Sequence, residues 1–262
     1  MVEATVGFIR AWIERFIDVQ GIDRGMALAA QAFSALIPLL IVSSALVSQD
    51  GGSKFADNVI QRFELKGAAA DTVRQAFTSS STVEDSISIL GLLLLLISAL
   101  SFSRGMQRLY EGSYKLPALG MRNTKWGLLW LALLGVYAAV RPIAAGAIDS
   151  KAIAIVISLG GAAVAWTLSP VLLLGRRASW RRVLPGGLLT AFGMTVLGAT
   201  SVVWFPRSIQ NSADQFGVMG VAFAMLSWLV AAAFVLVVAA TGGAVIADYA
   251  DAGRERDGAA AS

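Results

Sequence analysis

The sequence predicts an all-α, polytopic membrane protein with about six transmembrane helices, an amino-terminal interfacial helix and short helices in its first outer loop. Three observations predict it. Hydrophobic residues make up 56% of the 262 positions and charged residues 15%, against about 45–50% and about 25% in a soluble globular domain. The mean hydropathy is +0.70. Six apolar runs occur, at Met26–Val47, Ser86–Phe102, Trp126–Ile148, Ala152–Leu174, Gly186–Phe205 and Val218–Ala247. At a rise of about 1.5 Å per residue, each can cross a hydrocarbon core of about 30 Å. Finally, fourteen of the twenty-one Lys and Arg residues fall on one side of the topology these runs define, which predicts that both termini are cytoplasmic.

The elements follow in order. Residues 1–20 interleave Glu3, Arg10, Glu14 and Arg15 with apolar positions, so they lack the continuous apolar core of a signal peptide. Val2, Val6, Ile9, Ile13 and Phe16 recur at helical spacing, and Phe8 and Trp12 widen that side. This pattern predicts an amphipathic helix lying in the membrane interface. The connection 48–85 is too long for a simple turn, and Phe55, Val59, Phe63, Val73 and Phe77 repeat at helical spacing within it, which predicts short helices on the outer surface. After the second run, Arg104, Arg108, Glu111 and Lys115 form one helical stripe, opposite Phe102, Met106 and Leu109. Here the helix is expected to leave the bilayer and bend along it, with ion pairs among Arg108, Glu111 and Lys115 or, alternatively, a basic face that contacts anionic lipid through Arg104 and Arg108. The last run is long enough to require tilt. Residues 1–249 thus read as one six-helix membrane domain, and the Gly-, Ala- and charge-rich segment 250–262 as a disordered cytoplasmic tail.

Composition also excludes whole classes of chemistry. With no Cys and no His, the chain has no thiolate nucleophile, no Cys- or His-ligated metal and no ordinary neutral-pH base. No nucleotide-binding loop or dinucleotide turn is present, and the seventeen carboxylates are scattered among termini and loops. The sequence therefore predicts no catalytic residues, no metal site, no cofactor and no nucleic-acid partner. The small net charge of +4 is explained by basic loops beside membrane segments. Membrane lipids are the expected partners, with an amphiphilic or anionic substrate as a further candidate.

A few residues inside the runs stand out. Pro38 in the first run and Pro170 in the fourth each remove one helical hydrogen bond and predict a kink. Gln31 and Ser34 lie on the side of Pro38, and Thr167 and Ser169 stand beside Pro170. Two halves of three spans would be inverted, and the prolines then fall in corresponding first helices, a pointer to a transport pathway; packing alone also accounts for membrane prolines. Arg141 lies about 22 Å into the third run, where it reads either as an anion or lipid-headgroup contact or as an arginine snorkelling to the outer interface. Two small-residue stripes, Gly187, Ala191, Thr195 and Ala199, and Ala154, Ser158 and Ala162, predict close helix packing.

Three stretches, AAQAFSALIPLL (Ala29–Leu40), SFSRGMQRLYEGSYKLP (Ser101–Pro117) and FGVMGVAFAMLSWLVAAAFVLVVAATGGAVIADY (Phe216–Tyr249), resemble the BrkB/YihY family of bacterial inner-membrane proteins. The middle stretch is the most specific, through Ser103, Arg104, Gly105, Arg108, Glu111, Tyr114 and Pro117. Two positions depart from the family pattern: Val245 stands where a Glu is usual after Gly243 and Ala244, and Gln31 where an aromatic is usual. The resemblance implies a multi-pass protein of the bacterial inner membrane, in a family described as virulence-related or as suspected transporters. Some members once carried the label ribonuclease BN. RNA hydrolysis needs His-type acid–base chemistry or a carboxylate cluster holding divalent metal, and neither is visible, leaving Glu111 and Asp248 as the carboxylates that reading would have to use. The sequence thus predicts a non-enzymatic membrane protein, either a transporter or lipid translocase or, alternatively, a scaffold that binds lipid or a partner protein.

Overall fold

A computed structural model of the chain describes residues 2–36, 38, 85–146 and 150–260, together with positions 57, 60, 61, 67, 70, 71 and 74. Among the described residues every regular element is helical. Helix α1 spans Val2–Asp18 and α2 Gly21–Ser34. Helix α3 runs over Asp85–Ser113, and a 3₁₀ turn at Gly120–Asn123 leads into α4, Thr124–Gly146. Helix α5 covers Lys151–Leu173. A helical stretch from Trp180 to Ala260 is broken at Gly217, whose φ of 57° and ψ of −138° lie outside the helical region; the break divides it into α6, Trp180–Gly217, and α7, from Met219 through Glu255.

Among the described residues four helical segments, Leu90–Ser113, Val156–Leu173, Trp180–Gly217 and Met219–Glu255, are long and apolar enough to cross a membrane. The third apolar run forms α4, whose apolar stretch is the shorter Thr124–Ala138. Of the first run, Met26–Val47, residues 37 and 39–47 lie outside the described residues, as do Phe55, Val59, Phe63, Val73 and Phe77. The helical backbone continues to Ala260, where the composition of 250–262 predicts a disordered tail. Ala-rich sequence favours helix, and an Arg254–Asp251 pair at 3.1 Å links successive turns.

The chain forms two compact units interleaved in sequence. One comprises Met1–Gly25, Ser103–Thr195 and Ala233–Ser262, the other Met26–Phe102 and Val196–Ala232. In the second unit, Ile209 and Ala213 of α6 pack against Val221 and Ala224 of α7 together with Ile60 and Ala70. A Cβ on Gly220 would collide with the Ser212 backbone, so this close turn between helices requires glycine. Trp228 Nε1 donates to Ser201 Oγ at 2.7 Å and closes the same hairpin.

In the first unit, α1 turns one face inward. Trp12 Nε1 donates to Thr241 Oγ1 of α7 at 3.1 Å, and the Phe8 ring meets Tyr249 edge-on at 6.0 Å. Phe8 and Trp12 therefore pack on protein, whereas Val6, Ile9, Ile13 and Ile17 are 60%, 47%, 54% and 66% exposed. The corner into α2 passes through Gln20, whose φ is 54°. The next residue is glycine because a Cβ at Gly21 would overlap the Phe16 ring.

The ends of α3 and α5 are closed alike. Leu116 N–H donates to Glu111 O and Lys115 N–H to Gly112 O, with Lys115 at φ 52°. Arg176 N–H donates to Val171 O and Gly175 N–H to Leu172 O, with Gly175 at φ 61°. Both are Schellman closures, which satisfy carbonyls that a helix end leaves without partners. Asn123 adds a side-chain cap, its Nδ2 donating to Leu173 O at 2.6 Å. Trp130 of α4, fully buried, donates from Nε1 to Ser169 Oγ of α5 at 2.9 Å, and Ser169 Oγ donates to Ala165 O at 2.8 Å.

Candidate functional site

The first unit gathers its charged side chains where α1, the end of α3, the connection from α5 to α6 and the end of α7 converge. Arg15 projects from the inward face of α1 and is buried. One terminal nitrogen donates to Ser113 O and the other to Asp248 Oδ2, the latter at 2.8 Å. Asp248 Oδ1 in turn accepts from Arg182 Nη2 at 2.8 Å, and Arg182 Nε lies 3.6 Å from Asp251. A single carboxylate thus bridges two guanidinium groups from separate helices, α1 and α6. The Tyr114 hydroxyl is buried beside this group with no hydrogen-bond partner, and burial pushes its phenol above the ordinary tyrosine value. A Cβ on Gly186 would stand 2.8 Å from that hydroxyl, so Gly186 leaves the ring its space.

Glu111 is the second centre. Its Oε1 accepts from Gln107 Nε2 at 2.9 Å, Leu119 N–H at 2.8 Å and Arg177 Nη2 at 3.2 Å. Arg177 also donates to Pro117 O and Leu174 O. The spacing of Arg108, Glu111 and Lys115 predicts ion pairs along α3. The bonds of Glu111 go instead to Gln107 and to donors beyond the helix. Glu111 is buried, whereas Arg108 and Lys115 are exposed, and a buried carboxylate is stabilised by converging donors far more than by a solvated neighbour.

A third feature joins α2 to α3. Arg24 Nε donates to Val19 O at 2.5 Å, and Arg24 Nη2 would lie 3.5 Å from a Cβ on Gly112.

The residues singled out by sequence fall into different surroundings. Gln31, Ser34 and Pro38 belong to the second unit, and Thr167, Ser169 and Pro170 to the first. Gln31 is half-buried and its Oε1 has no hydrogen-bond partner. Ser34 is exposed and donates to Ala30 O at 2.8 Å. Pro38 and Pro170 are buried. Thr167 Oγ1 is buried and without a partner, at the point where α6 comes closest: a Cβ on Gly187 would clash with the Thr167 backbone. Gly187 belongs to the small-residue stripe that predicts this packing. Ser169 is fully buried and bonded to Trp130, so it joins α4 to α5. Arg141 stands in α4, and its side chain lies outside the described residues. Arg104 and Arg108 are exposed on α3.

Sequence reasoning singles out none of Arg15, Arg24, Arg177 and Arg182 as an individual site. Arg24, Arg177 and Arg182 carry one signal, that each stands beside an apolar run without an opposite charge at helical spacing, whereas Arg15 has Asp18 three residues on.

No curated protein and no solved structure matches the chain. A family model described as virulence factor BrkB matches residues 12–262. With its long apolar helices, the chain is a membrane protein, and it belongs to the BrkB family, the BrkB/YihY family that its motifs resemble.

Proposed function

We propose that this protein is a transporter or lipid translocase of the bacterial inner membrane, with six spans, both termini cytoplasmic and an amphiphilic or anionic substrate. The supporting observation is that Gln31 Oε1 and Thr167 Oγ1, two of the polar atoms placed beside the matched prolines, are buried and have no hydrogen-bond partner. An unsatisfied polar atom in an apolar interior costs about 1–3 kcal/mol, and a passing headgroup or its water removes that cost. Ser34 and Ser169 are already bonded within their own helices, which leaves Gln31 and Thr167 as the side chains to test. No enzymatic role is proposed: Glu111 and Asp248 are both committed to arginines.

The experiment is reconstitution of the purified protein in vesicles holding a fluorescent analogue of an anionic phospholipid in one leaflet. Translocation above empty vesicles, slowed by Gln31→Leu and by Thr167→Val, is the expected result. Movement equal to that of empty vesicles removes the reading. A second reading, that of a membrane-anchored scaffold, is favoured by α1, whose exposed Val6, Ile9, Ile13 and Ile17 form a stripe suited to the membrane interface. On that reading the protein holds lipid or a partner and moves nothing.

A further inference from the structure

Arg24 stands near the start of α2, fixed by the bond from its Nε to Val19 O. That bond leaves both terminal nitrogens outside it. The guanidinium lies against Gly112 of α3, and a larger side chain at that position would occupy the approach. Arg108 stands one turn before Gly112 on the same face of α3, and Arg104 one turn before that. Both are exposed, and Arg24 is half-buried.

Burial and then the charge of Arg108 lower the Arg24 pKa from its ordinary value, while Glu111 acts in the opposite sense. Glu111 offsets only part of this, and its Oε1 already accepts from Arg177, Gln107 and Leu119. Two guanidinium groups whose charges oppose one another, one of them partly desolvated, gain more from an anion than two solvated ones. The planar fork of Arg matches phosphate oxygens in pairs.

We infer that Arg24 and Arg108, with Arg104 one turn along α3, form a binding site for a phosphate-bearing anion. The inference deepens the lipid-contact reading of Arg104 and Arg108 by adding a half-buried member, Arg24, and the glycine that admits it. It is independent of transport, since the site binds whether or not anything crosses. Ile22 and Met26 on α2, 62% and 52% exposed, flank Arg24 in sequence and offer apolar surface to acyl chains. They favour a phospholipid headgroup over free phosphate as the source.

The test is calorimetric titration of the detergent-solubilised full chain with short-chain phosphatidylglycerol, phosphatidylcholine of the same chain length, and inorganic phosphate. Phosphatidylglycerol is expected to bind, and Arg24→Gln and Arg108→Gln each to weaken it about tenfold. Arg24→Lys, which keeps the charge and loses the fork, should fall between them and the parent. Arg254→Gln, at an exposed arginine already paired with Asp251, should leave affinity unchanged. Arg108 is exposed, so its variant retains the fold and keeps the test decisive even if Arg24→Gln lowers stability. Silence of inorganic phosphate assigns the site to lipid; phosphate binding that is lost in both Gln variants assigns it to a soluble phosphate. Affinities of Arg24→Gln and Arg108→Gln within twofold of the parent, or phosphatidylcholine bound as tightly as phosphatidylglycerol, overturn the inference.

Discussion

Arg15 and Asp248 stand 233 positions apart in the chain and meet at 2.8 Å, Nη2 to Oδ2. The bond fastens the amino-terminal helix to the end of the last helix. The Arg15 side chain is 8% exposed and that of Asp248 35%, so the pair is a partly buried one in which each member depends on the other for its solvation.

Removing one member of such a pair leaves a buried charge uncompensated. Asp248→Asn is expected to cost about 2–3 kcal/mol, the low end for buried pairs because Asp248 is a third exposed. Arg182→Gln, at a more exposed arginine, should cost less than about 1 kcal/mol. Equilibrium unfolding in mixed detergent micelles checks both. An equal effect of the two variants would contradict the burial argument.

Glu111 holds the connection between α3 and α4 through Leu119 N–H and the α5–α6 connection through Arg177. Glu111→Leu removes both tethers and leaves Arg177 with carbonyl partners but no counter-charge, so a loss of about 3 kcal/mol is expected. Limited proteolysis should then cut between Leu116 and Gly120 well before the parent is cut there. Unchanged protection of that segment would show that the Schellman closure alone holds it.

Trp130 and Ser169 are coupled by one hydrogen bond. Interhelical bonds in membrane proteins average about 0.6 kcal/mol in double-mutant cycles. The cycle of Trp130→Phe and Ser169→Ala should return a coupling of about that size. A coupling near zero would mean that Ser169 is satisfied by its bond to Ala165 alone.

A Cβ on Gly243 would collide with the backbone of Gly186, at a close approach of α6 and α7. Backbone cannot step aside as a flexible side chain does. Gly243→Ala is therefore expected to destabilise by about 1–3 kcal/mol, and Gly243→Leu to abolish folded protein. Gly135→Ala, at a helical glycine with open space around it, is the matched control and should be neutral or slightly stabilising. Yield of monodisperse protein after size-exclusion chromatography reads the contrast.

The distribution of cations predicts cytoplasmic termini. A reporter active only outside the cytoplasm should be silent when fused after Ser262 and active when inserted between Ser48 and Asp85. The reverse pattern would invert the topology.

Residue order alone determined the helical membrane class and much of the helix registration. The runs beginning at Ser86 and Ala152 correspond to α3 and α5, which start one residue earlier at Asp85 and Lys151, because hydrophobic length and charged flanks are local properties of the chain. The helical continuity of 206–216 was not legible, since its apolar positions are interrupted by Pro206, Arg207, Gln210 and Asn211, and their partners Val221 and Ala224 are supplied by the next helix. The charged centre was hidden for the same reason. Arg15 has Asp18 three residues on along an amphipathic helix, and Glu111 stands among basic neighbours at helical spacing, so local sequence offers them other partners than the ones they take. Only folding brings Ser113, Asp248 and Arg182 around Arg15, and Leu119 and Arg177 around Glu111. Burial makes these distant bonds outweigh the nearby solvated ones, since water weakens an exposed ion pair far more than an enclosed one.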